Sequence, residues 1–441
     1  MRYLLTISFV FALLFQSYAQ QPAEGDATAR VGELINSTDY ITLSQELPAL
    51  RAKVSKPILA LADALVAHHE GRFEDSNRAI DKVGEFAPEL GGEVILGMQN
   101  LSLINHLAAE NYKAGLEMVQ VLLSLLPNDA SADESRRELE STMRWLAALS
   151  SKEAVVVERP KEDVIIPVEV RDVGDGKHLV VDVKVGDKAE AFIFDTGCGN
   201  SNIISSAVAE RLGVEIVAED IVIRGFGEGY AKLGYLPEMH IGDVTIRNAT
   251  FYVVDKLLPE GVDVEGLCEA ALGTHIIRKM GEIRFERELS RFVLPAQESV
   301  APAERNIFFD SQYYIWCKEG DERIVMQFDT GNTKTQLSSR YYNRFQQRVE
   351  QNGGEVTRSR SAGFGGIELC DVLTLPTVEF HIGGQVLQLS TVAVALPMLY
   401  EDGTPFIERY DGVAGADLLN AADVVTFDLK RMFYRIDKKD K

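Results

Sequence analysis

Ala191-Phe192-Ile193-Phe194-Asp195-Thr196-Gly197 and Ile324-Val325-Met326-Gln327-Phe328-Asp329-Thr330-Gly331 decide how this chain reads. In each stretch an apolar run of the kind found in buried strands ends on Asp-Thr-Gly. Polar residues follow, and then a short apolar step, Ile203-Ile204 after the first and Gln336-Leu337 after the second. Two carboxylates, each at the end of a buried strand and each followed by a glycine turn, can meet in one site. Two carboxylates in contact cannot both ionise easily, so one keeps a proton. That provides an acid and a base at a single pH, which suits activating water for attack on a peptide carbonyl.

The surroundings of the two triplets repeat in order. Gly225-Phe226-Gly227 follows the first and Gly363-Phe364-Gly365 the second. Next come Leu236-Pro237 and Leu375-Pro376, each leading into an alternating strand with a glycine turn, Met239-His240-Ile241-Gly242-Asp243 and Phe380-His381-Ile382-Gly383-Gly384. Apolar-apolar-glycine steps then appear at Ala271-Leu272-Gly273 and Val413-Ala414-Gly415. Each half closes on a strand pattern, Arg291 to Leu294 and Met432 to Ile436. An internal repeat of this kind predicts a duplicated lobe of roughly 130 residues.

On these motifs, residues 163 to 437 resemble the aspartic proteases. Each lobe is similar to retropepsin-like bacterial members, and the fusion of two lobes in one chain is similar to the pepsins. The resemblance implies a two-lobed, mainly-β protease built of duplicated retropepsin-like lobes. It implies that Asp195 and Asp329 are the catalytic pair, followed by Gly197 and Gly331. It further implies that Thr196 and Thr330 brace the two loops beneath the pair. Gly273 and Gly415 would lie where strands cross closely behind the catalytic loops. Gly225, Phe226 and Gly227, with Gly363, Phe364 and Gly365, are flap candidates, since glycine hinges suit a lid that opens for substrate. The sequence departs from the family at one step: pepsins continue with Ser and retropepsins with Ala, whereas here Cys198 and Asn332 follow the triplets. The hydroxyl that often supports the catalytic carboxylate would then come from Ser201 or Thr333, or be missing. The expected activity is an aspartic-type endopeptidase acting on polypeptide, with no cofactor and no metal. The rival from another class is a catalytically inactive, protease-like peptide-binding protein acting through its N-terminal region.

That N-terminal region reads as α-helical. Periodic apolar residues over Pro57–Val66, Phe73–Phe86, Val94–Ala109 and Tyr112–Leu126 predict helices, with Pro88 and Pro127 beyond the second member of each pair. The offset from Phe73 to Tyr112 is the same as from Pro88 to Pro127, which resembles degenerate tetratricopeptide-type hairpins. An ordinary helical bundle is the alternative. Such a domain would bind a peptide or a protein partner, or dock on the protease lobes. An inhibitory pro-segment is a further alternative, but the acidic balance of this region is wrong for charge pairing with an acidic cleft. The expected organisation is therefore α plus β: a signal peptide over 1–19, a helical domain over 20–150, a linker over 151–162, and protease lobes over 163–298 and 299–441.

The signal reading rests on Arg2, a short apolar run from Leu4 to Phe15, and small residues before Ala19. It predicts export to the periplasm or the medium, with no integral membrane segment after cleavage; an uncleaved anchor is the alternative. A net charge of −22 argues against nucleic acid and anionic membranes as partners. Cys198, Cys268, Cys317 and Cys370 form no metal spacing and do not occupy equivalent places in the repeat, so one or two disulfides remain open. His240 and His381 precede glycine turns and read as structural.

Overall fold

The computed structural model describes residues 26–399, 404 and 406–437; the expected signal peptide lies outside the described residues. The chain divides into two compact units. One holds the described residues through Ala154 together with Phe309–Ser311, and the other holds Val155–Phe308 and the chain from Gln312 onward.

The first unit is helical: α1 (Asp26–Asn36), α2 (Tyr40–Leu50), α3 (Lys56–His69), α4 (Phe73–Gly84), α5 (Gly92–Ala108), α6 (Tyr112–Leu125) and α7 (Asp133–Leu149), with a short turn of helix between α4 and α5. The Asp39 side chain accepts the Thr42 N–H and starts α2. Pro57 sits in the first turn of α3, where its missing N–H removes no helical bond. Helix α3 is apolar nearly all round and is the most enclosed: Ile58, Leu61, Ala62, Leu65 and Val66 are buried. Its core neighbours include Val31 and Ile35 of α1, Leu43 and Leu47 of α2, Val83 of α4, and Met98 and Leu101 of α5. Gly71, at φ +68°, turns the chain from α3 into α4. Among the described residues no helix is long and apolar enough to cross a membrane.

The second unit is mainly β. In its first sheet the strands run, in spatial order, Val156–Glu158, Val244–Val254, Asn202–Ser205, Ala270–Leu272, Lys188–Phe194, Gly176–Val185, Glu228–Ile241 and Glu215–Arg224. In its second sheet the order is Gln312–Glu319, Glu322–Phe328, Gly412–Ala414, Gln336–Leu337, Gln385–Ala395, Gly366–Ile382 and Thr357–Gly363. In both, the strand that ends on an aspartate pairs parallel with a three-residue strand ending at the apolar-apolar-glycine step. Each Asp-Thr-Gly turn leads through a short strand into a helix, Ser206–Leu212 in one half and Ser339–Asn352 in the other. The Ser205 hydroxyl accepts the Val208 N–H to start the first, and Gly213 ends it at φ +74°.

A third, five-stranded antiparallel sheet takes strands from both halves: Val164–Pro167, Arg291–Leu294, Ile283–Glu286, Val424–Asp428 and Phe433–Asp437. Phe285, Phe292, Phe427, Phe433 and Tyr434 on these strands are buried. Phe194 packs its ring 4.6 Å from Phe292, and Phe328 lies 5.7 Å edge-on to Phe427, so the residues just before the two aspartates rest on this sheet. All four cysteines are free thiols.

Candidate active site

The position of each aspartate follows from how its strand is held. Ile193 and Phe194 pair with Ala271 and Leu272, and the Asp195 N–H donates to Leu272 O at 3.1 Å. The second half repeats this: Gln327 and Phe328 pair with Val413 and Ala414, and the Asp329 N–H donates to Ala414 O at 3.0 Å. Past these bonds the chain leaves the sheet, so each aspartate is the last residue the ladder fixes. Its carboxylate then takes up the N–H groups of its own turn. Gly197 and Cys198 donate backbone N–H groups to Asp195 Oδ1 at 2.8 and 3.0 Å. Gly331 donates to Asp329 Oδ1 at 3.0 Å, and the side-chain amide of Asn332 donates to Asp329 Oδ2 at 3.2 Å.

The two turns are locked to each other by their threonines. Thr196 N–H donates to Thr330 Oγ1 and Thr330 N–H to Thr196 Oγ1, both at 3.0 Å. Each hydroxyl passes its own proton across, Thr196 to Phe328 O at 2.8 Å and Thr330 to Phe194 O at 2.6 Å. Both threonines are fully buried, so these four bonds are made away from water, where an unmade one is costly.

Glycine after each threonine is required by the carboxylate opposite. A methyl group on Gly331 would lie 2.6 Å from the Asp195 carboxyl carbon, and one on Gly197 would overlap the Asp329 carboxyl group. The two carboxyl groups therefore stack against each other's turns and hydrogen-bond to one another. Burial is the main cause that raises both above the ordinary carboxylate range. Asp329 is pushed further because the Asp195 charge adds to burial, while Asp195 is held back by the N–H groups around it. Two charges in this contact are disfavoured, so the pair favours sharing one proton, with the stronger upward push on Asp329.

Behind the turns the two halves use different side chains for the same support. In the first, the Gly273 N–H donates to Asn202 Oδ1 at 2.9 Å and the Thr274 N–H to Cys198 O at 2.7 Å. In the second, the Gly415 N–H donates to Thr335 Oγ1 at 3.1 Å, and the Thr335 hydroxyl donates to Asp417 at 2.7 Å. A methyl group on Gly415 would lie 2.5 Å from the Lys334 carbonyl carbon, so only glycine passes there. Ser201, expected as one source of a supporting hydroxyl, donates instead to Thr250 Oγ1. Thr333, the other, lies against Gly176. The Asn332 amide stands in that supporting place beside Asp329, a role sequence reading did not assign to it. Also unforeseen is His178, whose Nε2 bonds Gly331 O at 2.8 Å; burial lowers its pKa, so it is a neutral ring donating to a carbonyl. No local pattern marks either residue. Cys198 donates its thiol to Ser201 O, and burial with two carboxylates nearby pushes its pKa well up, so it is not a thiolate.

The two Gly-Phe-Gly segments lie at hairpin tips, between Glu215–Arg224 and Glu228–Ile241 and between Thr357–Gly363 and Gly366–Ile382. The structure brings the tips together. The Gly227 N–H points to Phe364 O at 3.4 Å. A methyl group on Gly365 would lie 2.5 Å from Gly227 O, and one on Gly363 would lie 2.5 Å from the Phe226 ring. In return the Phe364 ring packs over Gly229. Each phenylalanine therefore covers glycine backbone on the opposite hairpin.

Two comparisons with known proteins found similar chains. Residues 181–274 match the family model described as aspartyl protease, a span that runs from before Asp195 through Gly273. Among solved structures the chain is similar to a retropepsin-like aspartic protease from Rickettsia conorii, at 16% identity and a TM-score of 0.20, over 32% of this chain and 91% of that one. No curated protein matches.

Proposed function

We propose that this chain is an exported aspartic endopeptidase with two duplicated, retropepsin-like lobes and a tetratricopeptide-like helical region that recruits a protein partner. The observation that carries the reading is the pair of carboxyl groups, in hydrogen-bond contact and both raised above the ordinary carboxylate range, at the ends of two equivalent strands. A water held between them loses a proton to Asp195 as its oxygen bonds to the scissile carbonyl carbon, while Asp329 gives its proton to the carbonyl oxygen. The resulting diol collapses: the amide nitrogen takes the proton from Asp195 as the C–N bond breaks, and a hydroxyl of the diol returns its proton to Asp329. Both aspartates end as they began. Export is supported by the pattern of residues 1–19, and N-terminal sequencing of the mature protein tests it, with Gln20 expected first.

The activity is tested by incubating purified protein with denatured casein between about pH 3 and 7, with and without pepstatin. Pepstatin-sensitive cleavage is expected. Full-length protein that binds peptide and never cleaves it would favour the peptide-binding alternative.

A further inference from the structure

Helix α3 ends on two adjacent histidines, His68 and His69, which are 1% and 5% exposed. Adjacent residues on a helix do not share a face, so two buried imidazoles in succession need separate partners. Those partners fix which nitrogen of each ring carries hydrogen. His68 Nδ1 is 2.7 Å from Asn105 Oδ1. The orientation of Asn105 is set independently, because its Nδ2 donates to Ser76 Oγ at 2.9 Å and to Asn77 Oδ1 at 2.8 Å. Its oxygen is therefore the end turned to His68, and an oxygen can only accept. His69 Nδ1 is 2.6 Å from the backbone carbonyl of Phe309, which also can only accept. In both rings Nδ1 is thus the donor, and in the neutral ring Nε2 carries the lone pair.

The third member is Asp310, next to that same Phe309 carbonyl and part of the same compact unit. One ligand atom from each of His68, His69 and Asp310 lies within 4.8 Å of the other two. Two imidazole rings and a carboxylate gathered within this distance offer a cation two nitrogens and an oxygen. An imidazole whose far N–H is tied to a carbonyl oxygen is also the arrangement that orients histidine toward a metal ion. The rings are held from the sides as well: Tyr40 stacks on His69 at 3.9 Å, and Phe309 meets His68 edge-on at 5.4 Å.

We propose that His68, His69 and Asp310 form a binding site for a divalent transition-metal ion of the zinc class, separate from the aspartate pair. Two nitrogens and a carboxylate suit a borderline ion such as Zn²⁺ or Co²⁺ better than Ca²⁺ or Mg²⁺, which take oxygen. Ligand bonds of about 2.0–2.1 Å would draw the three atoms closer together than 4.8 Å, a change that small side-chain rotations can supply. The ion would clasp the end of α3 to a segment 240 residues further along the chain. Binding only to the folded chain, it would stabilise that chain.

The test uses untagged full-length protein, stripped with a chelator and titrated with Co²⁺. Wild-type protein is expected to take up one equivalent, to develop the visible absorption of a low-coordinate Co²⁺ site, to lose it when Zn²⁺ is added, and to unfold at higher temperature with either ion. Asp310→Asn, which keeps the shape of the side chain, and His69→Gln should each weaken Co²⁺ binding by at least about 10- to 100-fold. His240→Gln, a change at a half-exposed histidine in the other unit, should leave it unaltered. A wild-type protein that binds no Co²⁺ would overturn the proposal. So would uptake that persists at full affinity in Asp310→Asn and His69→Gln.

Discussion

Thr196 and Thr330 each donate a backbone N–H to the other's hydroxyl at 3.0 Å, so neither turn can shift without breaking a bond in the other. The carboxyl groups sit immediately before these residues, and their contact is therefore fixed from beneath. Thr330→Val keeps the volume but leaves the buried Thr196 N–H without its acceptor. A destabilisation of about 1–3 kcal/mol in urea unfolding is expected, with Thr330→Ser close to wild type. Equal stability of the valine and serine variants would mean that the exchange contributes nothing.

The aspartates should be individually indispensable. Asp195→Asn and Asp329→Asn are each expected to lower kcat by at least about 10²–10⁴-fold on a peptide substrate. Neither should unfold, because the amide removes a desolvated ionisable group. Wild-type turnover in either variant would sink the two-carboxylate mechanism.

Stability and activity should both report the raised carboxyl groups. A group that binds its proton more tightly in the folded state contributes stability below its unfolded value, here 3.8, and that stability is lost as pH rises through the folded value. Wild-type protein should therefore lose stability relative to Asp329→Asn as pH climbs above the ordinary carboxylate range, with a slope up to about 1.4 kcal/mol per pH unit. The rate should follow a bell on the acidic side of neutral, since the doubly protonated and doubly ionised pairs are both inactive. Urea titrations and kcat/KM across pH check the two statements. Parallel stability curves for wild type and variant would show that Asp329 titrates normally.

The hairpin tips should control access. Gly363→Ala places a methyl group 2.5 Å from the Phe226 ring and forces the tips to part. We expect a small change in melting temperature and a fall in kcat/KM of about 10- to 100-fold for peptide, from poorer positioning of substrate. Unchanged kinetics would mean that the tips do not close over the site.

Cys198 lies in the turn that follows Asp195, yet its thiol is protonated and donates to a carbonyl. Cys198→Ala should keep peptide cleavage, because the bond to Asp195 comes from the backbone N–H, which alanine retains. Loss of activity in a folded Cys198→Ala would assign the thiol a part in the chemistry.

Much of this molecule is determined by short-range pattern. The apolar runs before Asp195 and Asp329, the glycines after their threonines and the repeated order of hairpins and apolar-apolar-glycine steps are local signals. They predicted strands and turns that the structure contains at Lys188–Phe194 and Glu322–Phe328. The helices beginning at Phe73 and Tyr112 were legible for the same reason, since periodicity acts within a few residues. Helices α1, α2 and α7 were not read individually. Helix α7 is dominated by charged residues, and α2 contains Pro48, so their apolar faces are set by what they pack against.

Only the tertiary structure decided how the pieces act together. The difference between Asp195 and Asp329 arises because both are buried and both take backbone N–H groups, but only Asp329 is pushed up further by its partner's charge. The interlocked phenylalanines and glycines of the two tips, the neutral His178 behind Gly331, and the meeting of His68 and His69 with Asp310 likewise join residues far apart in the chain. Such relationships depend on packing, burial and the field of neighbouring charges. A linear sequence specifies them only through the folded chain, because no local pattern encodes the distance between two residues that are brought together by everything between them.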